Sequence, residues 1–181
     1  LPGVRFGGLM TYPPIGNADH INSFLETAKS LIEDSGLLVD VVSIGGSPDM
    51  WRVDQIPVGT EYRIGTYIYN DRSLIMHGTC EIKDCALTIF ATVVSTPTPN
   101  RAVIDAGSKS LTSDLSGLSG HGLVVGYPSL TIEKLSEEHG CITSDQPTGL
   151  KVGQRLHIIP NHACVVSNMV DHVMFTRQQK P

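Results

Sequence analysis

The sequence predicts a mixed protein, in which an α/β segment precedes an all-β domain. A strand, a helix and a second strand follow one another in the first part of the chain, whereas helical periodicity disappears after about residue 80. We therefore expect two domains, residues 1–78 and residues 79–181. A chain of 181 residues is long enough for one domain or two small ones.

The α/β segment is indicated by a helix between two apolar runs. The runs are VRFGGLMTY at 4–12 and LLVDVVSI at 37–44, and the helix is NADHINSFLETAKSLIEDSG at 17–36. Asn17 or Asp19 can cap the start of the helix, and Gly36 suits its end. Apolar residues recur at helical spacing, namely Ile21, Phe24, Leu25, Ala28, Leu31 and Ile32. Strands with so little alternation are typical of a parallel sheet buried on both faces.

The rest of the chain consists of short β-prone runs separated by Gly, Pro, Asn and Ser. These runs are CALTIFATVVST (85–96), RAVIDAG (101–107), GLVVGYP (122–128), LTIEKLSEE (130–138), QRLHII (154–159) and HACVVSNM (162–169). They predict an antiparallel β domain of six to eight strands.

Composition excludes several classes of function. The net charge of −5 without a basic cluster argues against a nucleic-acid surface. No run of about 18 apolar residues is present, so we expect no membrane span. The four cysteines do not form the pattern of a disulfide framework, which favours a reducing, cytoplasmic setting.

The segment SIGGSPDM, residues 43–50, indicates a turn that could hold a phosphate. We expect Ser47 to cap a helix that has Pro48 at its first position. Gly45 and Gly46 would let the backbone approach a ligand closely, and the free amides of a helix start favour an anion. An ordinary turn between strand and helix is the alternative interpretation.

The run LHIIPNHACVVSN contains His162 and Cys164, two residues apart. On a strand, both side chains would point to one face with Cα atoms about 6.5 to 7 Å apart. Nitrogen and sulfur together favour zinc over magnesium or calcium. The alternative is a buried histidine beside a buried cysteine, and a second pair at His139 and Cys141 shows that the pattern is common.

Two further groups carry possible chemistry. Asp105 ends an apolar run and Lys109 follows it, but Asp and Gly also favour turns for conformational reasons. His77, Cys80 and Cys85 could be drawn as a metal cluster, although their spacing suits a hairpin better.

Six segments together resemble the C-terminal half of the D-threonine aldolase and D-serine dehydratase family, pyridoxal-phosphate enzymes of the alanine racemase-like fold. The segments are GLMTY (8–12), VVSIGGSPDM (41–50), TEYRIGTYIYND (60–71), VIDAGSKSLTSD (103–114), LSEEHG (135–140) and VGQRLHIIPNHACVVSNM (152–169). The resemblance implies the C-terminal part of a (β/α)8 barrel that binds the cofactor, followed by a β domain that binds the metal.

The resemblance also implies roles for particular residues. His162 and Cys164 become ligands of zinc, with manganese or another divalent ion as the alternative, and Tyr12 becomes a catalytic residue facing the cofactor. Family members with aspartate at the second ligand position favour harder ions, so the cysteine favours zinc. The implied pyridoxal phosphate site comprises Ser43, Gly45, Gly46, Ser47 and Tyr67.

The implied activity is that of a lyase acting on β-hydroxy-D-amino acids. Aldol cleavage and dehydration both remain open, and D-threonine, D-serine and 3-hydroxyaspartate are all candidate substrates. Racemisation suits the chain less well, because it gives the metal no obvious task.

The Schiff-base lysine of the family belongs to the N-terminal half of the barrel. The lysines present are Lys29, Lys83, Lys109, Lys134, Lys151 and Lys180, and none has a matching context. We therefore expect this chain alone to be inactive and to need the missing barrel half as a partner. A truncated barrel would also expose sheet edges and apolar surface, so we expect a homodimer. The alternative function is a non-catalytic module for metal binding or dimerisation.

Overall fold

A computed structural model describes residues 2–176, which form two compact units. The first unit takes residues up to 68 together with 76–81, and the second takes 69–75 together with 82 onward. The chain thus passes between the units more than once between residues 69 and 81, whereas the sequence suggested one boundary after residue 78.

The strands are β1 (Gly8–Thr11), β2 (Val41–Gly45), β3 (Glu61–Arg63), β4 (Ile89–Thr98), β5 (Arg101–Ile104), β6 (Leu123–Val124), β7 (Thr131–Leu135), β8 (Gly140–Thr143) and β9 (Arg155–Ile159). The α-helices are α1 (Ala18–Asp34), α2 (Arg72–Met76), α3 (Ser108–Leu111) and α4 (Ala163–Asn168).

The first unit contains a three-stranded parallel sheet in the order β1-β2-β3. β1 and β2 pair with Leu9 opposite Val42, and helix α1 connects them. The predicted parallel strand–helix–strand segment is therefore confirmed. Its core consists of Ile21, Leu25, Val39, Val42, Ile44 and Ile56.

Helix α1 ends as the sequence indicated. Gly36 has a φ of +88°, and its N–H donates to the carbonyl of Glu33 while that of Leu37 donates to Ile32. These two bonds are those of a Schellman motif. The expected apolar face was too wide, because Phe24 and Leu31 are 63% and 66% exposed. Both lie at the edge of the apolar face, whereas Ile21 and Leu25 on the same face are buried.

The second unit contains a six-stranded sheet in the order β6-β9-β4-β5-β8-β7, with every neighbouring pair antiparallel. This agrees with the predicted antiparallel domain of six to eight strands. Its main core includes Val93, Ala102, Ile104, Leu111, Val124, Ile132, Ile142 and Ile158.

One predicted strand is wrong. The run HACVVSNM forms α4, because β9 stops at Ile159 and Pro160 has no N–H to continue the ladder. The Pro160 carbonyl instead accepts the N–H of Arg72, at 3.0 Å. Ala163 and Val166, on the buried face of α4, pack against Leu87.

Candidate functional site

In the first unit, two loops meet where β2 and β3 end. Ser47 follows the carboxyl end of β2, and Thr66 follows that of β3. The Thr66 N–H donates to Ser47 Oγ at 3.1 Å, and the Gly46 N–H donates to the Arg63 carbonyl at 3.2 Å. These bonds bring the expected phosphate turn against a second loop.

The helix that follows this turn differs from the prediction. The segment Ser47–Gln55 is 3-10 helical but kinked, with non-helical backbone angles at Asp49 and Arg52. Its first residue is Ser47 and its capping position is Gly46. Ser47 therefore is not the N-cap, and Pro48 is not the first helical residue. The physical reason is that the buried Ser47 hydroxyl accepts the Thr66 N–H rather than an amide of its own helix.

The two glycines of this turn permit close packing. Gly46 has a φ of +127°, and a Cβ built there would lie 3.5 Å from the Tyr12 phenol oxygen. A Cβ at Gly45 would lie only 2.6 Å from Arg63 Nη2. The structure thus places Tyr12, 73% exposed and next to the end of β1, beside the predicted phosphate turn.

A partly buried polar network lies next to the turn. Ser43 donates its hydroxyl proton to Glu61 and accepts a hydrogen bond from Arg63 Nη1. Arg63 Nη2 also donates to the Thr11 carbonyl, at 2.9 Å. Ser43 is buried, so its contribution to the turn is to hold Arg63 in position.

A narrow pocket next to the turn includes Tyr12, Gly46, Asp49 and Tyr62. Burial, followed by the negative charge of Asp49 and by Tyr12, raises the pKa of Tyr62. Tyr67, the remaining predicted cofactor contact, is 53% exposed on the short 3-10 helix Thr66–Ile68.

Arg63 and Thr66 were missed as parts of this site. The available signal was RIGT at 63–66, a glycine-containing turn directly after a β-prone run.

In the second unit, the candidate metal ligands lie at the start of α4. His162 precedes the helix with an extended backbone, and Cys164 is its exposed second residue. The prediction that this pair lies on a strand is therefore wrong. Both side chains are accessible to solvent, and that of His162 is 35% exposed.

His162 has a carboxylate partner that sequence reasoning missed. Its Nδ1 lies 2.6 Å from Asp114 Oδ2. The hydrogen bond from His162, followed by that from the Ser116 N–H, lowers the pKa of Asp114. The only available signal was that Asp114 closes the segment VIDAGSKSLTSD, which the resemblance had already singled out.

Buried polar side chains hold the backbone around His162. Asp71 Oδ2 accepts the Ala163 N–H at 2.9 Å, and Asp71 is fully buried. Asn161, which is 1% exposed, donates through its side chain to the carbonyls of Gly120 and Asp114 at 2.9 and 3.3 Å. The two residues on either side of His162 are thereby fixed.

Imidazole and thiolate are a suitable donor set for zinc. Among residues 2–176, no group of three or more His, Cys, Asp or Glu is arranged to hold a metal ion. A metal at His162 and Cys164 would therefore have two protein ligands from this part of the chain and would need water or substrate to complete its coordination.

The three residues left open by the sequence have structural contacts. Asp105 Oδ1 accepts the Thr92 N–H at 2.6 Å. Lys109 pairs with Glu137 and Glu138 at 3.0 and 2.8 Å. The His139 carbonyl accepts the Ser136 N–H at 2.8 Å.

Across residues 2–176, the helices are too short or too polar to cross a membrane.

Comparison with known proteins gives relatives over nearly the whole chain. D-threonine aldolase of Arthrobacter sp. is 28% identical over an alignment that covers 98% of this chain and 49% of the relative. D-serine dehydratase of Dictyostelium discoideum is 30% identical, covering 76% of this chain and 40% of the relative. The chain thus spans about half the length of the curated relatives it matches.

Solved structures give the same result for the fold. D-threo-3-hydroxyaspartate dehydratase from Delftia sp. superposes with a TM-score of 0.77 at 25% identity, covering 93% of this chain and 52% of that one. A cysteine-to-alanine variant of D-threo-3-hydroxyaspartate dehydratase was solved in a metal-free form, and another variant replaces a histidine two positions earlier. An alanine racemase-like protein from Idiomarina loihiensis also matches, with a TM-score of 0.71. The predicted fold class, that of the alanine racemase-like enzymes, is confirmed.

The family model described as the putative serine dehydratase domain matches residues 86–176, which is half of the chain. Since the relatives named above are aldolases and dehydratases of D-amino acids, the family predicted from the six sequence segments is confirmed. The chain belongs to the family defined by the putative serine dehydratase domain.

Proposed function

We propose that this chain is the metal-carrying, C-terminal part of a lyase that acts on β-hydroxy-D-amino acids with pyridoxal phosphate and a divalent metal ion. The relatives support the reaction class, because they are named as D-threonine aldolase, D-serine dehydratase and D-threo-3-hydroxyaspartate dehydratase. D-threonine, D-serine and 3-hydroxy-D-aspartate share a β-hydroxyl group, and this group defines the proposed substrate class.

The observation that carries the proposal is the placement of His162 and Cys164. His162 is oriented by Asp114, and Cys164 is exposed in the first turn of α4. The two residues have the same spacing as the histidine and cysteine replaced in two variants of D-threo-3-hydroxyaspartate dehydratase, one of which was solved in a metal-free form. Zinc held by this pair would act as a Lewis acid toward the β-hydroxyl oxygen of the substrate.

The turn after β2 fits the phosphate of the cofactor. Gly45 and Gly46 have no side chain between their backbone and a ligand, and Arg63 places a positive charge directly beside Gly45. Ser47 and Thr66 add two hydroxyl groups at the joined loop ends. Bound there, pyridoxal phosphate would supply an electron sink for negative charge at the substrate Cα.

Tyr12 is an exposed side chain whose phenol lies beside this turn. Its phenol oxygen would lie 3.5 Å from a Cβ at Gly46, so it can donate a hydrogen bond to a ligand bound over the glycines. We assign to Tyr12 the role of orienting the bound cofactor or substrate.

No lysine from the described residues lines the pocket between Tyr12 and Gly46. Lys109 is paired with Glu137 and Glu138, and Lys29 lies 4.0 Å from Glu33 on α1. We therefore expect the 181-residue chain, supplied with pyridoxal phosphate and zinc, to show no turnover of D-threonine, D-serine or 3-hydroxy-D-aspartate. Turnover at the rate of a complete enzyme would refute this expectation.

The metal site is tested by the zinc content of the purified chain after dialysis against buffered zinc. We expect about one zinc ion per chain, and we expect His162→Ala and Cys164→Ala to lose it. His157→Ala is the matched control, because His157 lies five residues earlier on β9 and bonds Thr88 instead. Zinc retained by both ligand variants would exclude this metal site, and its loss from His157→Ala would show that the loss is not specific.

A further inference from the structure

We infer that Asp114 is the positioning residue that selects Nε2 of His162 as the metal-binding nitrogen. The inference rests on the metal site proposed above and assigns to it a residue outside its two ligands. It follows from the geometry around Asp114, from the way its loop is fixed and from the chemistry of a neutral imidazole.

The geometry defines which nitrogen is free. His162 Nδ1 lies 2.6 Å from Asp114 Oδ2, so Nδ1 carries the proton and donates it to the carboxylate. A neutral imidazole has one protonated and one unprotonated nitrogen, which leaves the lone pair on Nε2. Nε2 is therefore the nitrogen that can bind a metal ion.

The carboxylate is itself held in place. Asp114 Oδ1 accepts the Ser116 N–H at 2.9 Å and the Ser116 hydroxyl at 3.2 Å. The Asp114 N–H donates to Thr112 Oγ1 at 3.2 Å. With one oxygen bonded to its own loop, Asp114 presents only Oδ2 to the imidazole.

The backbone next to Asp114 adopts conformations that side chains rarely take. Thr112 and Ser116, each two residues from Asp114, have φ values of +64° and +46°. Such residues cost free energy and persist only when their surroundings fix them. A loop that maintains two of them around one exposed carboxylate favours a specific task for that carboxylate.

The same buried side chain fixes both the loop of Asp114 and the backbone next to His162. Asn161, the residue before His162, donates through its buried side-chain amide to the carbonyl of Asp114. The same amide donates to Gly120 at the far end of the loop, and its oxygen accepts from Arg72 Nη1 at 3.1 Å. Asp114 and His162 are thus positioned by the same buried residue, although 48 residues separate them.

Removing the carboxylate should leave the imidazole free to rotate and to exchange tautomers. Partners of metal-bound histidines typically contribute about 10- to 100-fold to metal affinity. The expected effect of Asp114→Ala is therefore a zinc dissociation constant about 10- to 100-fold higher. Asp114→Asn keeps an oxygen that can accept the Nδ1–H, so its loss should be smaller than that of Asp114→Ala.

The experiment measures two quantities on the 181-residue chain. Zinc affinity is measured by competition with a chelator. The His162 tautomer is measured in the metal-free chain by nitrogen NMR of labelled imidazole, at about pH 8, above the ordinary histidine pKa of about 6.5. Asp145→Ala is the matched control, since Asp145 is an exposed acid of the same unit, outside the loop that carries Asp114.

We expect the Nδ1–H tautomer in the unmodified chain, a mixture of tautomers in Asp114→Ala, and zinc affinity close to the unmodified value in Asp145→Ala. Unchanged zinc affinity in Asp114→Ala would overturn the inference, as would the Nε2–H tautomer in the unmodified chain. Absence of zinc binding in the unmodified chain would instead refute the metal site proposed above. Should Asp114→Ala fail to fold, Asp114→Asn and the tautomer of the unmodified chain still decide the matter.

Discussion

The carboxylate of Asp71 accepts the backbone N–H of Ala163 at 2.9 Å, across 92 residues of sequence. Its second oxygen accepts the Leu74 N–H at 3.0 Å and the Ser73 hydroxyl at 2.7 Å. One fully buried side chain therefore bonds amides in the first turns of both α2 and α4. Since His162 and Cys164 stand at the start of α4, their placement depends on a residue far away in the sequence.

Asp71→Ala should strongly destabilise the second unit. The substitution removes the acceptor of two backbone amides at a site with no exposure, and each buried donor left without a partner costs about 1–3 kcal/mol. We expect the free energy of unfolding to fall by at least about 2 kcal/mol in urea titrations followed by circular dichroism. Asp145→Ala, at an exposed acid of the same unit, should change it by less than about 0.5 kcal/mol. Equal stability of the two variants would contradict this role of Asp71.

Arg72 should control the mobility of the loop that carries Asp114. Its Nη1 donates to the carbonyls of Ser119 and Gly120 and to the Asn161 side chain, at 2.8, 3.4 and 3.1 Å. Burial lowers the pKa of Arg72. In Arg72→Ala, we expect faster hydrogen exchange of the amides at 115–122, because the anchors of the loop are lost.

The control for this prediction is Arg155→Ala in the same unit. Arg155 lies over the Phe90 ring, 5.2 Å from its centre, so its removal should leave exchange at 115–122 unchanged. Equal exchange in the two variants would show that Arg72 does not hold the loop.

These long-range bonds explain which features the sequence could predict. The parallel strand–helix–strand segment depends on local periodicity, and Ile21 and Leu25 are buried as expected. The start of α4 depends on Asp71, however, and no pattern near Cys164 reveals it. The β-branched Val165 and Val166 favour a strand by local preference, and the distant cap overrides that preference.

The candidate metal site shows the same limit. His162 and Cys164 could be singled out because they are close in sequence and belong to a segment with a family resemblance. Asp114 could not be paired with His162, because 48 residues separate them and an Asp in a Ser- and Gly-rich loop is ordinary turn chemistry. The phosphate turn was found from Gly45 and Gly46, whereas its partner Thr66 depends on how β3 pairs with β2.

Gly46→Ala should weaken cofactor binding at the candidate turn, whereas an alanine at another glycine of positive φ should not. Gly46 has a φ of +127°, a region that side chains rarely adopt, so we expect a loss of about 1–3 kcal/mol in unfolding free energy. Gly36→Ala is the matched control, since Gly36 has a φ of +88° at the end of α1. We expect Gly46→Ala to weaken binding of pyridoxal phosphate, measured by fluorescence quenching, and Gly36→Ala to leave it unchanged. Equal affinity of both variants would place the cofactor elsewhere.

Tyr62 should lose its phenol proton at a higher pH than an ordinary tyrosine. Burial, then Asp49 and Tyr12, raise its pKa, so the folded state holds the phenol proton more tightly than the unfolded chain does. The stability that comes from this group is present below the usual tyrosine pKa of about 10 and is lost as the pH rises through the folded-state value. Ultraviolet titration of the folded chain should show a phenol that ionises at unusually high pH, and this phenol should be absent from Tyr62→Phe.

Asp49→Asn tests the electrostatic part of this shift. In the unmodified chain, the Gly16 N–H donates to Asp49 Oδ2 at 2.6 Å. The variant removes the negative charge that raises the pKa of Tyr62 but keeps an oxygen that can accept this N–H. We expect the pKa of Tyr62 to fall in Asp49→Asn. It should remain above that of an ordinary tyrosine, because the phenol is still buried. Asp40→Asn removes an acid of the same unit that pairs with Arg5 instead, and it should leave the titration unchanged. A titration unaffected by Asp49→Asn would mean that burial alone raises the pKa of Tyr62.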